Sequence, residues 1–264
     1  MSMLRSAARR TLRILTGPFN FTILSGINRG RHWRVKAGTI RCWFGTYEHD
    51  EAALIAALIP AGAVVFDVGA HAGYYTLAAS RLVGEAGRVV AFEPDPVNLR
   101  YLREHVRANR ADNVAIVPQP VGDVHDGIVS FVQNVEHRYE STMSGPGSGA
   151  GSGAGAGGED MKMVTLDRVI DGGLPVPDIV KMDIESAESR AIAGCPTLVA
   201  RRQTSWLIST HGAENVLNLV PLFQKAGYAV HDVKDGRRIL GAPELPIYSI
   251  LALPPGKDYP KVAP

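Results

Sequence analysis

The chain has 264 residues, of which 45% are hydrophobic and 20% are charged. These values are close to the averages of globular proteins, so we expect a packed core and exclude a chain that is disordered throughout. The formal net charge of +2 is too small to favour a nucleic acid or any other particular partner.

The first 47 residues are basic, with nine Lys and Arg and no acidic residue. Within them, residues 1–16 predict an amphipathic helix with four arginines on one face. The opposite, apolar face consists of Leu4, Ala8, Leu12 and Leu15. We expect this helix to contact an anionic membrane surface, to cover a lipid-like acceptor, or to pack on its own domain. Residues 1–47 are therefore interpreted as an N-terminal extension and residues 48–264 as the main domain.

No stretch of the sequence is typical of a membrane-spanning helix. The longest uncharged apolar run, residues 52–66, contains Pro60 and Gly62 and is shorter than the roughly 18 to 20 residues that a span needs. The N-terminus lacks the apolar core of a secretory signal, so we expect a cytoplasmic protein with at most peripheral membrane contact. Cys42 and Cys195 fit no metal-binding spacing and are expected to be reduced thiols.

From residue 48 onward, predicted strands and helices alternate. Strands are predicted at 63–68, 88–92, 114–121, 178–184, 205–210, 228–233 and 247–253, and helices at 48–58, 74–83, 96–109, from about 187, and at 213–225. A repeated strand–helix unit indicates a parallel sheet, and the hairpin-like connection of the last two strands adds an antiparallel one. We predict an α/β, Rossmann-like fold with a seven-stranded, mostly parallel sheet and one antiparallel strand.

The strand–helix pattern is interrupted between the third and fourth strands. Residues 127–133 alternate in polarity as an antiparallel strand does, and residues 145–158 are almost wholly Gly, Ser and Ala. The second composition predicts a flexible insertion. It lies inside the domain, because the strand–helix pattern resumes after it.

The first strand of the main domain ends in a turn that is typical of a nucleotide-binding site. Asp67 ends the strand, where its carboxylate can receive a cationic ammonium group. Gly69 and Gly73 let the backbone approach a ligand closely, and the following helix offers free N–H groups. His71 lies within the turn and is expected to shape it. These four residues are candidates for cofactor binding.

Glu93 follows the second strand, 26 residues after Asp67. An acid at this position can accept hydrogen bonds from both ribose hydroxyls of a nucleoside. A dinucleotide fingerprint requires Gly where His71 and Tyr74 stand, which disfavours NAD. S-adenosylmethionine has no pyrophosphate and tolerates the bulkier turn, so it is the predicted cofactor. Asp123, after the third strand, either meets the adenine or only forms a structural turn.

Three carboxylates, Asp183, Glu185 and Glu188, lie within six residues after the fourth strand. Such proximity is unfavourable unless the groups bind something. Asp183 and Glu185 could position an acceptor hydroxyl, act as a base, or hold a divalent cation, whereas Glu188 is explained by the dipole of the helix that it begins. His211 follows the fifth strand, where it is either a general base or a structural residue.

Three segments, FDVGAHAGYYT, AFEPDP and KMDIESAE, resemble the motifs of the FkbM-type methyltransferases, and the resemblance extends over about residues 46–253. It implies an S-adenosylmethionine-dependent O-methyltransferase that acts on a small-molecule, sugar or lipid-linked acceptor and not on nucleic acid. Residues 48–264 would then be the methyltransferase domain. The family commonly has Gly where Ser186 stands, and we expect this departure to have a minor effect.

The reaction implied is direct methyl transfer, with Asp183, Glu185 or His211 removing the proton of the acceptor hydroxyl. Two alternatives stay open. One is a non-catalytic nucleoside-binding or regulatory protein, because a fold alone does not establish catalysis. The other is an RNA methyltransferase, which the basic N-terminus favours although no RNA-binding module is evident.

Overall fold

The computed structural model describes residues 20–132, 142–144 and 159–261. The helix predicted at residues 1–16 and the Gly/Ser/Ala tract at residues 145–158 lie outside these ranges. Within the described part of the chain, no helix combines the length and the apolar character needed to cross a bilayer.

Twelve strands are described. They are β1 (Asn20–Thr22), β2 (His32–Arg34), β3 (Val64–Val68), β4 (Arg88–Phe92), β5 (Val114–Val117), β6 (Ile128–Val132), β7 (Thr142–Ser144), β8 (Glu159–Lys162), β9 (Ile179–Met182), β10 (Ser205–Ser209), β11 (Ala229–Asp232) and β12 (Ser249–Leu253). Seven of them form one sheet in the order β11-β12-β10-β9-β3-β4-β5. β12 is antiparallel to both of its neighbours, whereas β10, β9, β3, β4 and β5 pair in parallel. The predicted α/β fold and its antiparallel strand are confirmed.

Eight α-helices are described: α1 (Ile40–Phe44), α2 (His49–Leu58), α3 (Tyr74–Val83), α4 (Pro96–Ala108), α5 (Leu166–Asp171), α6 (Glu188–Ala193), α7 (Pro196–Ala200) and α8 (Ala213–Lys225). Local sequence fixes several of their ends. Asp95 precedes α4, and its side chain accepts hydrogen bonds from the backbone N–H groups of Val97 and Asn98, which satisfies donors that a helix start otherwise leaves free. The helices predicted at 74–83 and 213–225 have the predicted bounds.

The sheet is buried on both faces. Successive residues of β3 alternate between two hydrophobic clusters: Phe66 and Val68 belong to one, and Val65 belongs to the other. The first cluster includes the apolar faces of α6, α7 and α8, and the second includes those of α2 and α3. A sheet covered on both faces is a rigid support, so the loops at the ends of its strands are held in fixed relative positions.

The described part of the predicted extension packs on the main domain. β1 and β2 pair in antiparallel fashion, and a 3₁₀ turn at Val35–Ala37 leads to α1. Trp33 is buried and stacks on His105 of α4, with 4.1 Å between ring centroids. The backbone N–H of Arg34 donates to Nε2 of the same histidine at 2.9 Å. The division into two parts at residue 47 stays a prediction.

Several parts of the sequence prediction are wrong or incomplete. The third strand ends at Val117 rather than at residue 121, because Pro118 and Pro120 cannot continue a strand ladder. The antiparallel strand predicted at 127–133 is present as β6, but its partners β7 and β8 were not predicted. The six-residue helix α5 was also missed, since it is too short to show a clear apolar periodicity.

Candidate active site

A cavity opens at the carboxyl ends of the central strands β3, β4, β9 and β10. Strand order reverses between β3 and β9, which is where α/β sheets commonly bind their ligands. Seven of the nine candidate site residues line this cavity, namely Asp67, Gly69, His71, Glu93, Asp183, Glu185 and His211. The sheet therefore brings together residues that are up to 144 positions apart in the sequence.

The turn after β3 depends on its glycines. Gly69 has a φ of +82°, and a Cβ atom there would lie 1.9 Å from the carbonyl oxygen of Asp183. Gly73 has a φ of +91° and immediately precedes α3, where a Cβ atom would lie 2.6 Å from Leu102. His71, between them, has a left-handed φ of +50°. Only glycine fits at positions 69 and 73. At position 69 this lets the backbone of the turn pass close to the loop after β9.

Glu93 is held rigidly at the end of β4. Its side chain is buried, its Oε2 accepts a hydrogen bond from the backbone N–H of His71 at 2.7 Å, and its Oε1 accepts one from Asp95 N–H at 2.8 Å. Burial raises the pKa of this carboxyl to about 7. Because a carboxylate oxygen can accept two hydrogen bonds, each oxygen retains capacity for a ribose hydroxyl.

Asp67 carries an unsatisfied acceptor. Its Oδ2 accepts a hydrogen bond from Thr76 Oγ1 at 2.5 Å, but its buried Oδ1 has no hydrogen-bond partner among the described residues. Burial raises the pKa of Asp67, and the ammonium of Lys181 acts in the opposite direction. A buried acceptor without a partner is unfavourable unless a ligand supplies one. The residues present therefore fit a cofactor that brings a donor to this position.

Lys181 is a buried cation that the sequence analysis missed. Its Nζ lies 3.2 Å from Asp183 Oδ2 and 5.0 Å from the centre of the Tyr75 ring. Burial lowers the pKa of Lys181, but the carboxylates of Asp183 and Asp67 together raise it above its ordinary value. A charged residue in an otherwise apolar strand, as in Ile179–Met182, was the available signal.

His211 is surrounded by carboxylates. Its Nδ1 lies 2.8 Å from Glu188 Oε1, and its Nε2 lies 3.5 Å from Asp183 Oδ1 and 3.5 Å from Glu185 Oε2. The hydrogen bond with Glu188 is the main cause that raises the pKa of His211 to about 9. Although burial acts to raise the pKa of Asp183, Lys181 and His211 lower it. With its pKa of about 9, the ring of His211 is an imidazolium near pH 7.

The same side chains are the candidates for holding a divalent cation, a role that the sequence left open. Asp183, Glu185 and His211 each offer one ligand atom, and these atoms lie within 4.8 Å of one another. A histidine binds a metal only when it is neutral. Near pH 7 the positive charge of the imidazolium already lies between the two carboxylates, so a proton and a cation would compete for this position.

The loop after β9 is strained. Glu185 and Ser186 have left-handed φ values of +50° and +79°. Backbone N–H groups of Ile184 and Ser186 donate to Glu188 Oε1 at 3.2 and 3.3 Å, which helps to hold this conformation. From the sequence, Ser at position 186 was expected to have a minor effect. In the structure, Ser186 has a left-handed backbone conformation, which glycine adopts without steric strain and other residues do not.

Replacing Ser186 by Gly is therefore expected to stabilise the protein. A left-handed conformation costs a residue with a Cβ atom about 1 to 2 kcal/mol, and the greater freedom of unfolded glycine offsets about 0.5 to 1 kcal/mol of the gain. We expect the free energy of unfolding in urea to rise by about 0.5 to 1 kcal/mol. Ala86→Gly is a matched control, because Ala86 is exposed and its φ is not positive. Destabilisation in both variants would show that position 186 is not strained.

Asp123 is placed differently from the other candidates. Its carboxylate forms a two-pronged contact with Arg190, at 2.9 Å to Nη2 and 3.3 Å to Nε, and this hydrogen bonding lowers the pKa of Asp123. It is absent from the described residues that line the cavity, whereas Gln119 and Pro120 of the same region are present. A contact between Asp123 and adenine stays a prediction.

An aromatic wall also lines the cavity and was not predicted. It consists of Trp33, Tyr47, Tyr74 and Tyr75. Tyr75 donates a hydrogen bond from its hydroxyl to Glu48 Oε2 at 2.7 Å. Glu48 also lines the cavity, and its side chain makes no capping hydrogen bond at the start of α2. These residues come from the N-terminal segment and α3, so they are candidates for contacting an acceptor.

The strand order, the glycine turn after β3 and the acid at the end of β4 define a Rossmann-like methyltransferase fold. The family model of the methyltransferase FkbM domain matches residues 67–230, which is more than half of the chain. The chain belongs to the FkbM methyltransferase family, and the membership predicted from the three motifs is confirmed.

Similar proteins include other methyltransferases. Ribosomal protein L11 methyltransferase of Clostridium perfringens (strain SM101 / Type A) is 33% identical over 93 residues, which are 34% of this chain and 29% of that protein. Methyltransferase FkbM from Methylobacillus flagellatus KT has a TM-score of 0.47 at 18% identity, over 72% of this chain and 43% of that chain. Precorrin-6y C5,15-methyltransferase from Geobacter metallireducens GS-15 has a TM-score of 0.46 at 17% identity, over 78% of this chain and 88% of that chain. This chain thus spans less than a third of the first relative and less than half of the second.

Proposed function

We propose that the protein is an S-adenosylmethionine-dependent O-methyltransferase that methylates a hydroxyl of a small-molecule, sugar or lipid-linked acceptor. One observation carries the proposal: the cofactor candidates Asp67 and Glu93 and the cluster of Asp183, Glu185 and His211 line the same cavity. A binding site for a nucleoside thus adjoins acids and a histidine that can accept and release a proton.

The cofactor half of the cavity has a role for each of its residues. The rigidly held carboxylate of Glu93 accepts hydrogen bonds from the two ribose hydroxyls. Asp67 offers its unpaired Oδ1 to the ammonium group, directly or through water. Gly69 gives the ligand access to the backbone. S-adenosylmethionine supplies an activated methyl group when it is bound, so the protein has to orient the acceptor and remove its proton.

The proton of the acceptor hydroxyl goes to His211. Nε2 of the neutral imidazole accepts the hydrogen bond of that hydroxyl and receives its proton as the new carbon–oxygen bond forms. The carboxylate of Asp183, 3.5 Å from Nε2, stabilises the imidazolium that results. A ring with a pKa near 9 is mostly protonated at pH 7. The base is therefore present in a small fraction of molecules at pH 7, and the rate should rise with pH through about pH 9, where half of the rings are neutral.

We propose proton transfer, rather than binding of a divalent cation, as the role of these three side chains. The imidazolium already supplies a positive charge between Asp183 and Glu185, which lie 3.5 Å from it. Methyl transfer should accordingly persist in the presence of EDTA.

The charges around the cavity favour a small acceptor over RNA. Glu48, Asp183 and Glu185 all line it, and Lys181 is already paired with Asp183. Phosphate-rich acceptors need basic residues that neutralise them. The aromatic wall of Trp33, Tyr47, Tyr74 and Tyr75 instead suits a ring with neutral substituents.

A transfer assay tests the proposed function. The protein is incubated with S-adenosylmethionine carrying a labelled methyl group and with a panel of sugars, hydroxylated aromatic compounds, glycolipids and RNA. We expect label in a hydroxylated small or lipid-linked acceptor and none with the Asp183→Asn variant. Label in RNA alone would establish the RNA methyltransferase alternative. Cofactor binding without transfer to any acceptor would favour a regulatory protein.

We also propose that residues 1–16 contact an anionic membrane surface, for which the support is the sequence pattern alone. Each arginine near such a surface contributes about 1 kcal/mol, so four of them could hold a short apolar stripe in the headgroup region. Co-sedimentation with phosphatidylserine vesicles should be salt-sensitive and should fall when Arg9, Arg10 and Arg13 are all replaced by Glu. Equal sedimentation of the variant would identify the helix as ordinary packing.

A further inference from the structure

Glu188 carries a fully buried carboxylate at the start of α6. Its Oε1 lies 2.8 Å from His211 Nδ1 and accepts hydrogen bonds from the backbone N–H groups of Ile184 and Ser186. Its Oε2 accepts one from Asn215 Nδ2 at 2.7 Å. Glu188 is not among the described residues that line the cavity, so any effect on an acceptor must pass through one of these partners.

The arrangement of these donors determines how the imidazole is oriented. An ionised carboxylate can only accept hydrogen bonds, so the hydrogen that it shares with His211 belongs to Nδ1. The opposite nitrogen, Nε2, is then left to face Asp183 and Glu185. In its neutral form the ring carries a free electron pair on Nε2, at the cavity.

Asn215 strengthens this arrangement from the opposite side. Its Nδ2 donates both to Glu188 and to the backbone carbonyl of His211, and its Oδ1 accepts from the backbone N–H and the hydroxyl of Ser189. The amide is buried and its donors and acceptor all have partners. The ring of His211 is thereby tied to α6, α8 and the loop that carries Glu185.

We infer that Glu188 is a positioning residue, which fixes the ring orientation and the tautomer of His211 so that Nε2 is the atom that exchanges a proton with the acceptor. The inference rests on the proposed role of His211 as the base. It extends the role that the sequence suggested for Glu188, which was only a favourable charge at a helix start.

The charged groups that face His211 are Asp183 and Glu185, from the loop after β9, and Glu188, from α6. Lys181 lies behind Asp183 and opposes them. Glu188 is the nearest of the acids. Its removal should make the imidazolium less stable, although the other two carboxylates still favour the charged form.

Nitrogen NMR of the imidazole side chain, in Glu188→Gln and in the parent protein, tests the inference without any acceptor. In the parent we expect the neutral ring to carry its hydrogen on Nδ1. In Glu188→Gln we expect the pKa of His211 to fall by at least one unit and the tautomer with hydrogen on Nε2 to become populated. Glu214→Gln, at an exposed acid on α8, is the matched control and should change neither property.

A neutral ring with its hydrogen mainly on Nε2 in the parent protein would overturn the inference, even if the Glu188→Gln variant did not fold. Unchanged pKa and tautomer in a folded variant would overturn it as well. Because these readouts need no methyl transfer, they succeed or fail independently of the proposed function.

The kinetic consequence uses the acceptor found in the transfer assay. The pH at which the rate reaches half its maximum should lie near 9 in the parent and at least one unit lower in Glu188→Gln, with the KM for S-adenosylmethionine unchanged. A rate that falls equally at all pH values would instead assign Glu188 a purely structural role.

Discussion

Replacing His211 by Gln is expected to lower kcat by about 10²- to 10⁴-fold, which is the usual contribution of a positioned general base. The imidazole is a better proton acceptor than Asp183, because the pKa of His211 is raised to about 9 whereas that of Asp183 is lowered. Glutamine keeps a polar side chain of similar length but cannot take up a proton. The affinity for S-adenosylmethionine should change by less than about threefold, because the predicted cofactor contacts lie at β3 and β4.

Single-turnover kinetics and calorimetry, performed on the same preparation, separate the two effects. His49→Gln is the matched control, since that side chain is 76% exposed and lies outside the cavity. A His211→Gln variant with parental kcat would remove His211 from the chemistry. Equal losses of cofactor affinity and turnover would show that it supports the cofactor site instead.

Replacing Glu93 by Ala is expected to weaken binding of S-adenosylmethionine by about 1 to 3 kcal/mol, or roughly 5- to 150-fold in Kd. The variant loses up to two hydrogen bonds to the ribose. It also leaves the backbone N–H groups of His71 and Asp95 without their partner, which loosens the turn after β3. Calorimetric titration measures the effect directly.

Two further variants define the cause of that loss. Glu93→Gln keeps the size of the side chain and one acceptor oxygen, so it should lose less affinity than Glu93→Ala. Glu244→Ala removes an acid whose side chain is 84% exposed and should bind as the parent does. Parental affinity in Glu93→Ala would show that the ribose is bound elsewhere.

The cofactor side of the site could be predicted from the sequence because its residues follow predicted strands directly. Carboxyl ends of parallel strands meet at one edge of a sheet, so Asp67, Glu93, Asp183 and His211 were expected near one another before any contact was known. The glycine turn was recognisable because it directly follows a predicted strand. The mostly parallel sheet with one antiparallel strand also followed from the repeating pattern.

The contacts that complete the site join residues far apart in the chain, and no local pattern indicates them. Glu188 and His211 are 23 residues apart, and Trp33 stacks on His105 from the N-terminal segment. Asp123 was expected at the cavity because it follows a strand end, but its carboxylate is bound to Arg190 instead. Position alone predicts which residues come near a cavity, whereas side-chain partners decide which of them face it.

Calorimetric titration of the parent protein with S-adenosylmethionine and, separately, with NAD is the most direct test of the central claim that this cavity holds S-adenosylmethionine. The unpaired Oδ1 of Asp67, the held carboxylate of Glu93 and the bulky His71 in the turn predict binding of S-adenosylmethionine with a micromolar Kd and weaker or undetectable binding of NAD. Tighter binding of NAD, or no binding of either nucleoside, would contradict it.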